Sequence, residues 1–348
     1  MEIEFFINDK GELYSFKTSD EEAKIEEFKI PSIVNGVKAE SIADTFRFSL
    51  QKLYERGVRS IHKLIISDGV EKINAKAFSG MRIEINAVYW PNSCNVIPQF
   101  CFSHSKIKSI VGVEEVKEVG TGAFMSTLLK EISWPPKCCC IPTGCFQDCE
   151  LETIEGIDQV VCIEDLAFRS TKLKYFNWPS KCKKIPSGCF EACHNLSQIH
   201  GTEGVTHIGC GAFKRSGIKT FSWPSKCEII SPKCFSGTPL EVIKGVENVT
   251  EINVGAFNGT KIKAFSWPEN VRATGMASFL DDCDDLEEII FEGRGIKTVD
   301  LENFFSLGNI KKIDLSQLGA VNLLNCSSPK GRELRDKVVF PYYVTEIN

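Results

Sequence analysis

The chain has 348 residues, a hydrophobic share of 43%, a charged share of 25% and a formal net charge of -5. These are ordinary values for a globular protein, and they exclude a disordered, collagen-like or coiled-coil chain. The acidic balance argues against a general nucleic-acid binder, and no apolar run approaches the roughly 18 residues of a membrane-spanning helix.

The N-terminal segment, residues 1–29, predicts a capping hairpin. Its apolar runs, Phe5–Ile7 and Leu13–Phe16, flank the turn sequence Asn8-Asp9-Lys10-Gly11. A hairpin there would cover the exposed edge of the repeats that follow. Residues 49–60 predict a short helical insertion.

The rest of the chain repeats itself every 22 residues in two alternating types. Phe recurs at this period from Phe78 to Phe279, and every second unit carries Trp-Pro twelve residues before its Phe. The Trp positions are Trp90, Trp134, Trp178, Trp223 and Trp267. The units between them carry glycine instead, at Gly112, Gly156, Gly201, Gly245 and Gly293.

Each unit opens with a short alternating strand. In Phe176-Asn177-Trp178 the two apolar side chains share one face, and the proline that follows ends the strand. This predicts a repeat solenoid with one short parallel strand per coil, loops, and short helical or 3-10 turns on the convex side. We expect about eleven coils, with the solenoid over 30–293 and degenerate repeats over 294–348. The last coil is incomplete, so the chain is either truncated or ends on an open edge that invites end-to-end self-association.

The alternation of Trp and Gly has a steric interpretation. Strands in a sheet lie about 4.8 Å apart, so an indole at the same inward position of every coil would be crowded. We therefore expect the ring of Trp134 to spread over Gly112 and Gly156. The alternative is that the glycine coils bulge and the next residue, such as Ile157, takes the inward place.

The repeat resembles a known family. The segment LKYFNWPSKCKKIPSGCFEACHNL, residues 173–196, matches the BspA-type (Treponema pallidum-type) leucine-rich repeat nearly position for position, and IPSIVNG, residues 30–36, is similar to its first repeat. The resemblance implies a leucine-rich-repeat solenoid and a surface antigen that acts in adhesion and protein–protein interaction.

Cysteine is the strongest compositional signal, with sixteen residues. Eight lie in register, where the glycine coils carry Val or Ala, so we interpret them as small buried apolar side chains. Equivalent cysteines two coils apart are too distant for disulfides, although a bridge within one coil stays open. Zinc at His194, His200 and His207 matches no standard spacing, and Asp281–Asp285 is interpreted as a solvated turn. We expect no metal and no cofactor.

No catalytic motif is present, so we do not expect an enzyme. The candidate binding surface is the outward strand face, where repeat proteins usually bind. Its candidates are Tyr89, Glu131, Glu155, Tyr175, Asn177, Gln198, His200 and Lys244.

The candidate partner is a protein, without nucleic acid or membrane insertion. Two hypotheses follow: a surface interaction or adhesion module, as the resemblance implies, or an intracellular scaffold. The N-terminal residues lack the pattern of a secretory signal peptide, which makes the cytoplasm the default location.

Overall fold

The computed structural model describes residues 3–18, 23–271, 278–292, 296–341 and 344–347. Contacts between residues divide the chain into two compact units, Met1–Lys174 and Tyr175–Asn348. Both units are built from stacked coils. The predicted glycine position Gly293 lies outside the described residues, as does Tyr342 after the last proline.

The first unit contains one helix and seventeen strands within its described residues. They are β1 (Ile3–Ile7), β2 (Glu12–Thr18), β3 (Lys24–Ile30), β4 (Ile33–Val34), β5 (Val37–Lys38), β6 (Ser41–Ile42), α1 (Phe46–Glu55), β7 (Ser60–Ile66), β8 (Lys72–Ile73), β9 (Glu84–Tyr89), β10 (Val96–Ile97), β11 (Lys106–Ile107), β12 (Ile110–Val111), β13 (Glu118–Val119), β14 (Glu131–Ser133), β15 (Cys140–Ile141), β16 (Thr153–Glu155) and β17 (Cys162–Ile163).

The second unit adds fifteen strands, one 3-10 helix and one α-helix in the part of the chain that is described. They are β18 (Tyr175–Asn177), β19 (Lys184–Ile185), β20 (Gln198–His200), β21 (His207–Ile208), β22 (Thr220–Ser222), β23 (Ile229–Ile230), β24 (Val242–Lys244), β25 (Glu251–Ile252), β26 (Ala264–Trp267), β27 (Glu288–Phe291), β28 (Thr298–Asp300), the 3-10 helix Leu301–Phe304, β29 (Lys312–Asp314), β30 (Val321–Leu324), α2 (Pro329–Arg335), β31 (Val338–Val339) and β32 (Val344–Ile347).

The N-terminal hairpin forms as the turn sequence predicts. The Oδ1 atom of Asn8 accepts hydrogen bonds from the backbone N–H groups of Lys10 and Glu12, both at 3.0 Å, and Gly11 supplies a positive φ of 71°. Strand β1 pairs antiparallel with β2, and β2 continues in parallel with β6. The hairpin therefore adds two strands to the edge of the β6–β8 ladder.

The predicted helical insertion is α1, a few residues earlier than the sequence indicated. Its apolar side chains Phe46, Leu50 and Leu53 follow helical spacing and are buried. Helix α1 packs against β2 of the hairpin.

The predicted solenoid is confirmed in both units, and the structure adds a second short strand to coils of the described residues. In the first unit, β14 pairs in parallel with β16 through Ile132 and Ile154, while β15 pairs with β17 through Ile141 and Ile163. Two parallel ladders therefore run along the stack, one on each side of the core.

The phenylalanine of each coil forms the core of the stack. In the first unit the Phe102 and Phe124 rings stack at 5.9 Å with an angle of 5° between their planes, and in the second unit Phe235 and Phe257 stack at 5.8 Å and 1°. These rings are fully buried. One coil cannot bury such a ring alone, so the stacking of coils is what makes the core.

The in-register cysteines pack in this core, as the Val and Ala of the alternate coils predicted. Cys101, Cys145 and Cys234 are completely buried, and burial raises the pKa of each thiol well above its usual range. All sixteen cysteines lie in described parts of the chain, and no disulfide joins any of them there.

All five indoles are buried, with exposures of 1–4%. Each indole N–H donates to the backbone carbonyl four residues later, as Trp178 does to Cys182 at 2.9 Å and Trp267 to Val271 at 3.0 Å. The ring also packs on the phenylalanine of its own coil, as Trp134 does on Phe146 at 5.8 Å. The indole therefore closes the loop that follows Trp-Pro.

The glycines do not lie beneath the indole rings, which corrects the expected interlock. A Cβ atom at Gly112 would lie 2.7 Å from the carbonyl oxygen of Trp90, and one at Gly156 would lie 3.3 Å from that of Trp134. Both glycines have positive φ, 81° and 71°. Ile157 is buried at 7% exposure, so the structure shows the alternative in which the glycine coil bulges and the next residue turns inward.

The glycine bulges divide the first-strand ladder into pairs. The backbone N–H of Trp223 donates to the carbonyl of Lys244 at 2.7 Å, which extends the pairing of β22 with the following glycine coil. In contrast, β20 and β22 belong to different sheets, although they come from consecutive coils. From Glu131 to Lys244 the first strands are thus joined only in pairs. Longer sheets occur at the two ends of the alternation, as β11-β9-β7-β3 in the first unit and as β26-β27-β29-β31 in the second.

Candidate functional site

The outward face of the first strands carries every ligand-face candidate. Strand β18 shows the pattern: Phe176 is buried between the exposed Tyr175 and Asn177. All eight candidate side chains are exposed, and Tyr175, with 56% of its surface accessible, is more open than Tyr89 with 38%. The period of two along each strand places these side chains on the solvent face.

The structure brings four of the candidates together in the second unit. Tyr175 is the register partner of Gln198, and Asn177 is the partner of His200, in the parallel pair β18–β20. Register partners in a sheet lie close enough for their side chains to interact. These four residues form one continuous polar and aromatic surface.

A groove adjoins that surface and includes the fifth candidate of this unit, Lys244. It has a volume of about 430 Å³ and extends across β20, β22 and β24. Its lining is Gln198, Ile199, His200, Thr202, Glu203, Thr220, Phe221, Ser222, Val242 and Lys244. We call this the strand-face groove.

The groove lies where the sheet is interrupted. Because β20 and β22 belong to different sheets, the ladder does not continue between them. The opening is lined from one side by Gln198 and His200 and from the other by Thr220 and Ser222. The interruption that follows a glycine coil thus coincides with a groove on the outward face.

The chemistry of the groove is mixed rather than dominated by one sign of charge. Lys244 contributes a cation, Glu203 a carboxylate, and Gln198 both an amide donor and an acceptor. Such a lining suits a ligand with its own donors and acceptors, and its volume is within the range of about 300–1,000 Å³ of ligand sites.

The remaining candidates lie in the first unit. Glu131 and Glu155 are on the paired strands β14 and β16, where Glu131 has Thr153 as its register partner and Glu155 has Ser133. Tyr89 ends β9 and pairs with Val111. These residues are exposed but do not line the strand-face groove.

The histidines considered for zinc do not form a site. Among the described residues, one group of three side chains has its ligand atoms within 4.8 Å of one another, namely Cys140, Cys162 and Glu164. The sequence did not indicate this group, because only the eight in-register cysteines and the three histidines were considered there. The signal that could have found it is the pair Cys140 and Cys162, which lie one coil apart at the same outward position.

The coils with their exposed first strand define the class of this protein, a leucine-rich-repeat solenoid. The family model described as "BspA type Leucine rich repeat region (6 copies)" matches residues 51–165, 117–241, 161–286 and 206–330. The chain therefore belongs to the BspA-type leucine-rich-repeat family. No curated protein was found that matches its sequence.

Solved structures share the fold at low identity. A leucine-rich repeat protein from Bacteroides ovatus is 20% identical with a TM-score of 0.67, over 100% of this chain and 89% of that one. A leucine rich cell surface protein from Faecalibacterium prausnitzii is 20% identical with a TM-score of 0.58, over 94% of each chain. The pneumococcal vaccine antigen PcpA is 15% identical with a TM-score of 0.53, over 99% and 96%.

Within the described residues, the helices are too short and too polar to cross a membrane.

Proposed function

We propose that the chain is a non-enzymatic interaction module that binds a protein ligand through its outward strand face and acts at a cell surface. The observation that carries the proposal is the strand-face groove, next to the exposed ring of Tyr175. Tyrosine is enriched among the residues that dominate binding energy at interfaces. The groove adds donors, acceptors and both charges around it.

A protein ligand fits this surface better than a nucleic acid or a glycan. The groove has one cation, Lys244, against one carboxylate, Glu203, whereas a nucleic-acid surface requires a basic stripe. Gln198 and Asn177 each offer a donor and an acceptor, the pair of groups that a peptide backbone also presents. We therefore assign the groove to a segment of polypeptide.

The surface location is supported by the solved structures that share the fold. One of them is described as a leucine rich cell surface protein and another as a vaccine antigen. We infer the same setting for this chain and, with it, a role in adhesion or surface interaction.

One observation favours the second hypothesis, an intracellular scaffold. The sixteen cysteines, all in described parts of the chain, form no disulfide, and cysteines stay reduced in reducing compartments. Protease treatment of intact cells separates the two. Digestion of the protein supports the surface module, whereas protection on intact cells with digestion in lysate supports the scaffold.

The binding proposal is tested with a displayed peptide library. Peptides selected on the purified chain are measured by calorimetry against the wild type and the variants Tyr175→Ala and His200→Ala. We expect each variant to lose about tenfold or more in affinity, as a hot-spot truncation does.

A matched control is the double variant Lys226→Ala/Glu228→Ala, two exposed residues of the same unit that do not line the groove. We expect it to bind like the wild type. Selected peptides that bind Tyr175→Ala and His200→Ala with wild-type affinity would remove the strand-face groove and the adjoining Tyr175 as the binding site.

A further inference from the structure

The second ladder of the first unit carries two cysteines on its outward side, in consecutive coils. Cys140 opens β15 and Cys162 opens β17, and the two are direct register partners in the parallel pair. Their neighbours Ile141 and Ile163 point inward and are buried. Because side chains alternate along a strand, both thiols lie on the solvent side.

These two cysteines differ from the core cysteines. The core positions hold Cys in one coil and Val or Ala in the next, as expected of a small apolar side chain. The outward position of Cys140 and Cys162 is mostly polar or charged in the other coils. Its residues there are Lys72, Val96, Glu118, Lys184, His207, Ile229 and Glu251. Packing in the core therefore does not account for this pair.

A carboxylate completes the group. Glu164 lies two residues after Cys162, on the same side, and one of its oxygens is 3.9 Å from the Sγ atom of Cys140. Its other oxygen, Oε2, accepts hydrogen bonds from the backbone N–H of Thr143 at 2.9 Å and from the hydroxyl of Thr143 at 2.8 Å. Thr143 thus holds the Glu164 carboxylate so that its Oε1 atom faces the thiols.

We propose that Cys140, Cys162 and Glu164 form a binding site for a borderline-soft divalent cation of the zinc type. The three ligand atoms lie within 4.8 Å of one another. Two Zn–S bonds of about 2.3 Å at a tetrahedral angle place the sulfur atoms roughly 3.8 Å apart, so small side-chain rotations suffice. Two thiolates balance the charge of the cation, the carboxylate adds a third anionic ligand, and the exposed side of Cys162 leaves the fourth position to water.

The hydrogen bonds from Thr143 are the arrangement expected around a metal-ligating carboxylate. Partners of this kind orient the ligand, and their loss typically weakens metal binding by about 10- to 100-fold. This gives the proposal a residue that acts on the site without touching the cation.

The test is a titration of the reduced, metal-free full chain with Co²⁺, followed by thiolate-to-cobalt charge-transfer absorption. We expect one Co²⁺ per chain in the wild type, displaced by Zn²⁺. Cys162→Ser should abolish the charge-transfer signal, and Thr143→Val should weaken binding about tenfold or more. The matched control is Cys139→Ser, because Cys139 is exposed and adjacent to Cys140 but outside the group.

A second readout does not depend on variants. Zn²⁺ should protect Cys140 and Cys162 of the wild-type chain from alkylation, as located by peptide mass spectrometry, and leave Cys139 and Cys210 reactive. Co²⁺ binding that persists in Cys162→Ser, or that is lost equally in Cys139→Ser, would overturn the proposal. So would rapid formation of a Cys140–Cys162 disulfide at a rate that Zn²⁺ does not slow.

Discussion

The close approach of a glycine to the preceding tryptophan coil can be measured with three matched alanine substitutions. Gly245 has a φ of 78°, and a Cβ atom there would lie 2.7 Å from the carbonyl oxygen of Trp223. Gly156 has a φ of 71°, and its Cβ would lie 3.3 Å from the carbonyl oxygen of Trp134. Gly36 has a φ of 80° and open space around it. The three positions therefore share the backbone conformation and differ in the contact.

The expected free-energy costs follow from that difference. A left-handed conformation costs an L-residue about 1–2 kcal/mol, and Gly36→Ala should lower the free energy of unfolding by this amount alone. Gly245→Ala should lose a further amount of about 1–3 kcal/mol, because a buried backbone oxygen must shift to accept the new methyl group. Gly156→Ala should fall between the two. Gly156→Val adds a branched side chain at the same place, so its free-energy cost should exceed that of Gly156→Ala.

Thermal unfolding followed by circular dichroism measures this series. Each compact unit spans 174 residues, and in a domain of that size 1 kcal/mol shifts the melting temperature by about 2–4 °C. Gly245→Ala should therefore melt several degrees below Gly36→Ala. Equal melting temperatures for these two variants would refute the backbone contact, and wild-type stability of both would refute the left-handed conformation as well.

Two further predictions concern the buried indoles and the thiols. Trp178→Phe keeps a ring but removes the N–H that donates to the Cys182 carbonyl, so it should lower the free energy of unfolding by about 1–3 kcal/mol. Trp178→Ala also removes the buried ring and should lower it by roughly 3–5 kcal/mol. Urea titration measures both changes. Burial raises the pKa of the Cys149 thiol to about 11, so this thiol should resist a disulfide reagent at pH 8 until the chain unfolds. Fast reaction is expected at the exposed thiols Cys139, Cys162 and Cys210, and fast labelling of Cys149 in the folded chain would contradict its burial.

The solenoid could be predicted from the sequence because its determinants are local and repeated. The 22-residue spacing of Phe102, Phe124 and their equivalents sets the coil length, and these rings stack in the structure. The N-terminal hairpin was also predictable, since Asn8 and Gly11 determine its turn. The exposed position of Tyr175 followed from the period of two along a strand.

The division of the sheet could not be predicted in the same way. The alternation of Trp and Gly was visible, but whether a glycine accommodates a ring or a backbone oxygen depends on its φ, which the sequence does not determine. A Cβ atom at Gly201, like one at Gly245, would lie close to a tryptophan carbonyl oxygen, at 2.8 Å from that of Trp178. The interruption between β20 and β22, and with it the strand-face groove, follows from backbone geometry.

The Cys140–Cys162–Glu164 group was missed for a different reason. Its members lie in consecutive coils, so they come together only when the register of β15 and β17 is known. A coil-by-coil comparison would have found the two cysteines at one outward position. It would not have found Thr143, whose role depends on the side-chain conformation of Glu164.

All five tryptophans point into the stack, and each closes the loop of its own coil. The most direct measurement is hydrogen exchange of the indole N–H groups in the ¹⁵N-tryptophan-labelled chain, followed by NMR in D₂O. We expect slow exchange of all five signals, because each N–H donates to a buried carbonyl four residues later, as Trp134 does to Cys138 at 3.0 Å. Immediate loss of the five signals on transfer to D₂O would contradict it.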